Sequence, residues 1–179
     1  MRHLLVAIIL CFCATHAAAQ ERCELGFDVP EEIKIQGIVV LVLKQPQCFG
    51  IYEDGKLSTR VMGRPLYGYA STGMRGHDTP LSDPSKGPDL INGSYRHYWS
   101  KKYSVFWQGR SLPAYMPYSM FFTHNGHALH QGRVDRKFAS HGCVRLPPHA
   151  AQALFYGFPH EELRVIITHD RHSLRTEWE

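Results

Sequence analysis

Past residue 13 the chain has no apolar run near the about 20 residues that a membrane-spanning helix needs, so no later segment is read as a membrane span. It has no Lys/Arg run, and no basic stretch interleaved with aromatics of the kind that binds nucleic acid. A polynucleotide partner is therefore not expected. No internal repeat or low-complexity tract is present, which excludes solenoids and long disordered linkers. What remains is 179 residues with a formal charge of +4, 44% hydrophobic and 20% charged, enough for one globular domain with a core.

Cysteine is scarce as well: there are five, and two of them, Cys11 and Cys13, fall in an N-terminal segment of distinctive make-up. Met1-Arg2-His3 is positive, residues 4–13 are apolar, and Ala17-Ala18-Ala19 offers small residues for cleavage, so residues 1–19 read as a secretory signal peptide. A lipid anchor on Cys11 or Cys13 is disfavoured by the bulky Leu10 and Phe12 before them. Cleavage after Ala19 removes Arg2 and takes the formal charge from +4 to +3. Three cysteines then remain in an oxidising compartment. Pairing Cys23 with Cys48 leaves Cys143 free, and a bridge closing that loop stabilises by about 3 kcal/mol in the chain-entropy model. Three free thiols is the alternative, since spacing does not fix pairing.

Cys143 lies in Ser140-His141-Gly142-Cys143-Val144-Arg145-Leu146-Pro147, a polar, glycine-containing turn with a histidine two residues before the thiol and an arginine two after. Such neighbours are expected to favour the thiolate. Gly142 lets the backbone take conformations other residues resist, so the amides of Gly142 and Cys143 are expected to converge on one point as an oxyanion hole. A base is needed too, and His124 and His130 each begin an H-x-G. Asn125-Gly126 is a strong turn signal that places His124 at a loop tip, whereas His130 closes the strand-like run Ala128-Leu129-His130. His130 is therefore the expected base.

These residues together, His130-Gln131-Gly132 followed by Ser140-His141-Gly142-Cys143-Val144-Arg145-Leu146-Pro147, resemble the bacterial L,D-transpeptidases, the YkuD-type catalytic domain, and the spacing is similar to that of the proteobacterial branch. Ser71-Thr72-Gly73 and Asp78-Thr79-Pro80 resemble further elements of that family. The resemblance implies that Cys143 attacks a peptidoglycan stem peptide before its terminal D-alanine, and that an amine of another stem resolves the thioester. It implies no cofactor, a periplasmic monomer acting on the wall, and a stable adduct with carbapenems. Ser140 and His141 are expected to shape and polarise the turn, Arg145 to hold a substrate carboxylate or lower the thiol pKa, and Gly132 to allow close backbone approach behind the base.

The expected fold is mainly β, a curved sheet or sandwich with one or two short helices, spanning residues 35–168 between an N-terminal arm (20–34) and a charged, frayed tail (169–179). Strands are predicted over residues 35–43 and 163–167, a hairpin around Asp54-Gly55, a third strand over 66–71, and a helix over 150–156. Residues 81–90, rich in Pro, Ser, Asp and Gly, read as an inserted loop that caps the substrate groove or lies on the surface. Residues 95–122 are dense in aromatics, expected mostly as core and cross-strand packing, with Tyr115 and Tyr118 the candidates for lining a peptide groove. A zinc site among the histidines is disfavoured, because His127 and His130, three apart, point to opposite faces of a strand. Two other functions stay open: a carboxypeptidase or crosslink-cleaving peptidase on the same fold, and a wall-binding module with an incidental thiol.

Overall fold

The structure, a computed structural model, describes residues 23, 29, 33, 35–61, 63 and 66–178. The expected signal peptide, and most of the expected arm at 20–34, lie outside the described residues. Twelve strands and two helices follow in order: β1 (Ile38–Leu43), β2 (Cys48–Glu53), β3 (Lys56–Leu57), β4 (Tyr67–Tyr69), β5 (Asp89–Leu90), β6 (Gly93–Tyr95), β7 (Trp99–Trp107), β8 (Arg110–Tyr115), β9 (Ser119–Phe121), β10 (Ala128–Gln131), β11 (Val144–Leu146), α1 (Pro148–Gly157), β12 (Leu163–Thr168) and α2 (Arg171–Glu177).

The run Ile38-Val39-Val40-Leu41-Val42-Leu43 does not alternate in polarity because both faces of β1 are covered. It pairs in parallel with β12 and antiparallel with β2 at the centre of a sheet ordered β3-β2-β1-β12-β5. Ile38, Val40 and Val42 face the main core, while Val39, Leu41 and Leu43 face a second cluster built from Val29, Ile33, Ile35 and Leu174. Asp54 and Gly55 have φ of 48° and 79°, the pair of left-handed residues that a tight hairpin turn requires, as the sequence predicts. Cys23 and Cys48 are joined in a disulfide, with Cα atoms 5.6 Å apart.

A second sheet, ordered β11-β10-β9-β6, packs on the first through Leu129, Val144, Leu146 and Met120, with α1 closing the same core through Ala150, Ala151 and Leu154. At about 1.5–3 kcal/mol per fully buried large aliphatic side chain, this shared layer fixes the relative position of the two sheets. His130 and Arg145, paired in register on the parallel strands β10 and β11, therefore present themselves on the opposite face of the second sheet.

Two expectations are corrected and a third is narrowed. Of the two readings of residues 81–90 the surface one holds, since Asp83 to Lys86 are exposed. The segment forms a 3-10 turn (Pro84–Lys86) and then β5, which pairs with β12 at the edge of the first sheet, and the Ser82 hydroxyl accepts the Ile167 N–H. The tail is not frayed: Asp170 caps α2 by accepting the Ser173 N–H, and Leu174 is fully buried. The aromatics of 95–122 are not mainly core, since Trp99, Phe106, Trp107 and Tyr115 of the two-stranded β7–β8 hairpin are exposed. Composition registers an aromatic run but not the fact that this hairpin pairs with neither sheet.

Candidate active site

The 140–143 turn is held from behind. The Ala139 and Ser140 N–H groups both donate to the Thr72 carbonyl, at 2.9 and 3.0 Å, and the Ser140 carbonyl accepts the Met74 N–H at 2.9 Å. Thr72 is in turn gripped by Gln47, a buried residue at φ 66°: its side-chain oxygen accepts the Thr72 N–H, and its amide nitrogen donates to the Thr72 hydroxyl, both at 2.7 Å. Gly73 makes this closeness possible, because a Cβ there would fall 2.0 Å from the His77 carbonyl oxygen. The Ser71-Thr72-Gly73 and Asp78-Thr79-Pro80 elements are thus the cradle of the turn. Gln47→Ala leaves a buried backbone donor unsatisfied, and we expect it to lower the melting temperature and to slow acylation of Cys143 by about tenfold. Melting curves together with acylation rates measure both effects.

Within the turn, the Ser140 hydroxyl accepts the Gly142 N–H at 3.1 Å and donates to the Cys143 carbonyl at 2.5 Å. The expected oxyanion donor at Gly142 is therefore already engaged by Ser140. Gly142 itself has φ 105°, and a Cβ would meet the His127 ring at 2.7 Å. Both the strain and the contact close the position to any L side chain.

Carrying the β10–β11 register back one step places Ala128 beside Cys143. In agreement, the Ala128 N–H donates to the Cys143 sulfur, which also lies 3.9 Å from the Gly126 carbonyl. Burial of the sulfur pushes the thiol up from its ordinary value, while the Ala128 amide and Arg145 pull the other way more weakly. This direction is opposite to the expected resting thiolate. The turn is polar in sequence, but Cys143 is half-buried in the fold, and desolvation outweighs the cationic neighbour.

His130 is buried, and burial lowers its pKa to about 4, with Arg145 adding to the effect. Its Nδ1 lies 2.7 Å from the Gln131 carbonyl. A carbonyl only accepts, so Nδ1 carries the proton and Nε2 keeps its lone pair. Continued one residue past the start of β11, the register sets Cys143 two positions before Arg145, on the face of the second sheet that carries His130. His124 sits exposed in the 123–126 turn.

Other predicted residues fall into place around the pair. A Cβ on Gly132 would meet Arg145 Cγ at 3.0 Å, so Gly132 makes room for the arginine stem rather than for backbone. Arg145 acts electrostatically on Cys143, His130 and His141 together. His141 points outward, stacked on Tyr103 of the hairpin at 4.6 Å with its edge near His77 at 4.8 Å. Tyr115 lines a cavity of about 560 Å³ with Gln131, Gly132, Arg133 and Pro147. Tyr118 does not fit the groove reading, because it packs against Phe155 and Tyr156 of α1, at 5.6 and 5.7 Å.

The sequence reading missed His127 and Gln47. His127 precedes β10, so strand alternation does not apply to it; its ring lies against Gly142, its Nδ1 is 2.9 Å from the Thr123 hydroxyl, and burial lowers its pKa. Nothing local marks Gln47, whose role depends on a partner 25 residues away. Among the described residues no group of three or more His, Cys, Asp or Glu is arranged to hold a metal ion.

With thiol and imidazole both neutral at rest, acylation of Cys143 by a strained acyl donor should be independent of pH between about 5 and 8. It should fall only as His130 takes a proton, near pH 4. Stopped-flow acylation rates test this, and an inflection near pH 6.5 would show an unshifted histidine at work.

The family model of the L,D-transpeptidase catalytic domain, YkuD type, matches residues 36–167. The chain belongs to the L,D-transpeptidase catalytic domain family. A solved L,D-transpeptidase from Stackebrandtia nassauensis is 27% identical to it at a TM-score of 0.57, over 76% of this chain and 57% of that one. Two others share its fold: an L,D-transpeptidase from Mycobacterium tuberculosis H37Rv (21% identity, TM-score 0.55, 74% and 57% covered) and L,D-transpeptidase 3 of Mycobacterium tuberculosis in complex with a faropenem-derived adduct (19%, 0.56, 74% and 60%). This L,D-transpeptidase domain thus spans little more than half the length of those proteins. None of the curated proteins compared with the chain matches it.

Proposed function

We propose that this protein is a periplasmic peptidoglycan L,D-transpeptidase with Cys143 as nucleophile and His130 as base. The observation that carries the reading is the bond from His130 Nδ1–H to the Gln131 carbonyl, which leaves Nε2 as an acceptor on the face shared with Cys143. As the sulfur attacks the carbonyl of the third stem residue, its proton passes to Nε2. The tetrahedral oxyanion takes the Cys143 N–H, and the Gly142 N–H as it leaves the Ser140 hydroxyl. Collapse expels D-alanine, whose amine takes the proton from His130. An amine of a second stem then attacks the thioester and gives its proton to His130, which passes it to the departing sulfur, so that the thiol and the free base are both restored. Arg145, placed to act on both Cys143 and His130, holds a stem carboxylate.

A depressed histidine pKa suits this cycle, since the base must be free at the pH of work and must pass its proton to a leaving amine. That one L,D-transpeptidase was solved in complex with imipenem supports the expectation that a carbapenem acylates Cys143 here. The test is incubation with disaccharide-tetrapeptides followed by mass spectrometry. A crosslinked dimer is expected. Tripeptide alone would make the protein a carboxypeptidase, and no change would favour a wall-binding module.

A further inference from the structure

The β7–β8 hairpin bears two faces at its tip. Register pairs Val105 with Leu112 and Trp107 with Arg110 on one face, and Ser104 with Pro113 and Phe106 with Ser111 on the other. Phe106 is 79% exposed, Trp107 64%, Val105 51% and Leu112 41%, and neither Phe106 nor Trp107 stacks on another ring among the described residues. Four large apolar side chains at one protruding point mark a contact surface, not random surface apolarity.

Along the chain on either side of it the charge has one sign. From Leu90 to Val134 the chain has no Asp or Glu at all, while Arg96, Lys101, Lys102, Arg110 and Arg133 lie within it. We propose that the hairpin tip docks the protein on an anionic lipid surface, with Phe106 and Trp107 in the headgroup and upper acyl region and Lys101 and Lys102 against the lipid phosphates. Apolar groups on both faces suit a medium that surrounds the tip, whereas a protein groove or a glycan strand covers one face. Val105 and Leu112 offer nothing to a sugar. Phe106 leads Lys102 by four residues, about 14 Å along a strand, so basic groups meet the headgroups when the aromatic pair is immersed. The unpaired edges of the two-stranded hairpin limit it to the interface, because bare backbone N–H and C=O groups do not enter hydrocarbon. Tyr103, on the same strand, stacks on His141 beside Cys143, so docking would set the catalytic turn close to the bilayer surface.

The test uses the mature protein with vesicles of phosphatidylcholine alone, with vesicles containing phosphatidylglycerol as well, and with purified peptidoglycan. We expect co-sedimentation and a blue-shifted tryptophan emission with the anionic vesicles only. Phe106→Ser with Trp107→Ser should weaken that binding by more than about tenfold, and Lys101→Gln with Lys102→Gln should make it much less sensitive to added salt. Unchanged melting and Cys143 alkylation in these variants separate a lost surface from a lost fold, and keep the result independent of the proposed reaction. No binding to anionic vesicles, equal binding by the Phe106/Trp107 variant, or binding to peptidoglycan alone would overturn the proposal.

Discussion

Cys143→Ala is expected to abolish turnover and carbapenem adduct formation while the protein stays folded. The turn that carries the residue is fixed by groups the substitution does not touch. Ser140 binds the Gly142 N–H and the Cys143 carbonyl, and Thr72 binds the Ala139 and Ser140 N–H groups. The sulfur's own partners are weak, an Ala128 N–H contact and a 3.9 Å approach to Gly126. Removing it therefore costs little structure and all of the covalent chemistry. Circular dichroism and a melting curve check the first half of that statement, and intact mass after incubation with a carbapenem checks the second. Retained turnover in a folded Cys143→Ala protein would remove the thiol mechanism.

The second large effect concerns the base. His130→Ala should lower transpeptidation at least about 100-fold, the scale of losing a positioned general base, and abolish the acid limb of the acylation rate. His124→Ala should change either only a few-fold. The difference follows from position: His130 lies buried on β10 with its tautomer set by the Gln131 carbonyl, whereas His124 is exposed in a turn. His127 is the informative comparison. Its ring packs on Gly142, so His127→Ala would loosen the turn while leaving the acid limb in place. The His130 shift also makes a stability statement. A histidine neutral in the folded state to about pH 4, but protonated near 6.5 when unfolded, contributes stability that is full above pH 6.5 and is lost as pH falls through 4. His130→Gln should flatten that loss.

The parts of this fold that could be read from sequence are those set by local chemistry. Asp54-Gly55 is a tight turn in any hairpin context, and an unbroken run such as residues 38–43 must be covered on both faces. The 140–147 segment announces a thiol in a turn that only glycine completes. Features decided between distant segments could not be read. The sulfur's desolvation depends on how far the fold buries Cys143, so its cationic neighbours in sequence point in the opposite direction. Gln47 is an ordinary turn residue until Thr72 is folded against it. The aromatics of 95–115 look like core until their hairpin is found outside both sheets, and the polar 81–90 insertion looks like a loop until an open strand edge on β12 is there to receive it.

The central claim is that an acyl group from a stem peptide rests on Cys143. Acid quenching of the protein during turnover of a disaccharide-tetrapeptide, followed by peptide mapping by mass spectrometry, tests it most directly. The account predicts a disaccharide-tripeptide thioester on the peptide containing Cys143, accumulating further when the acceptor amine is left out. Turnover with no acyl group on Cys143, or with the group on another residue, would contradict it.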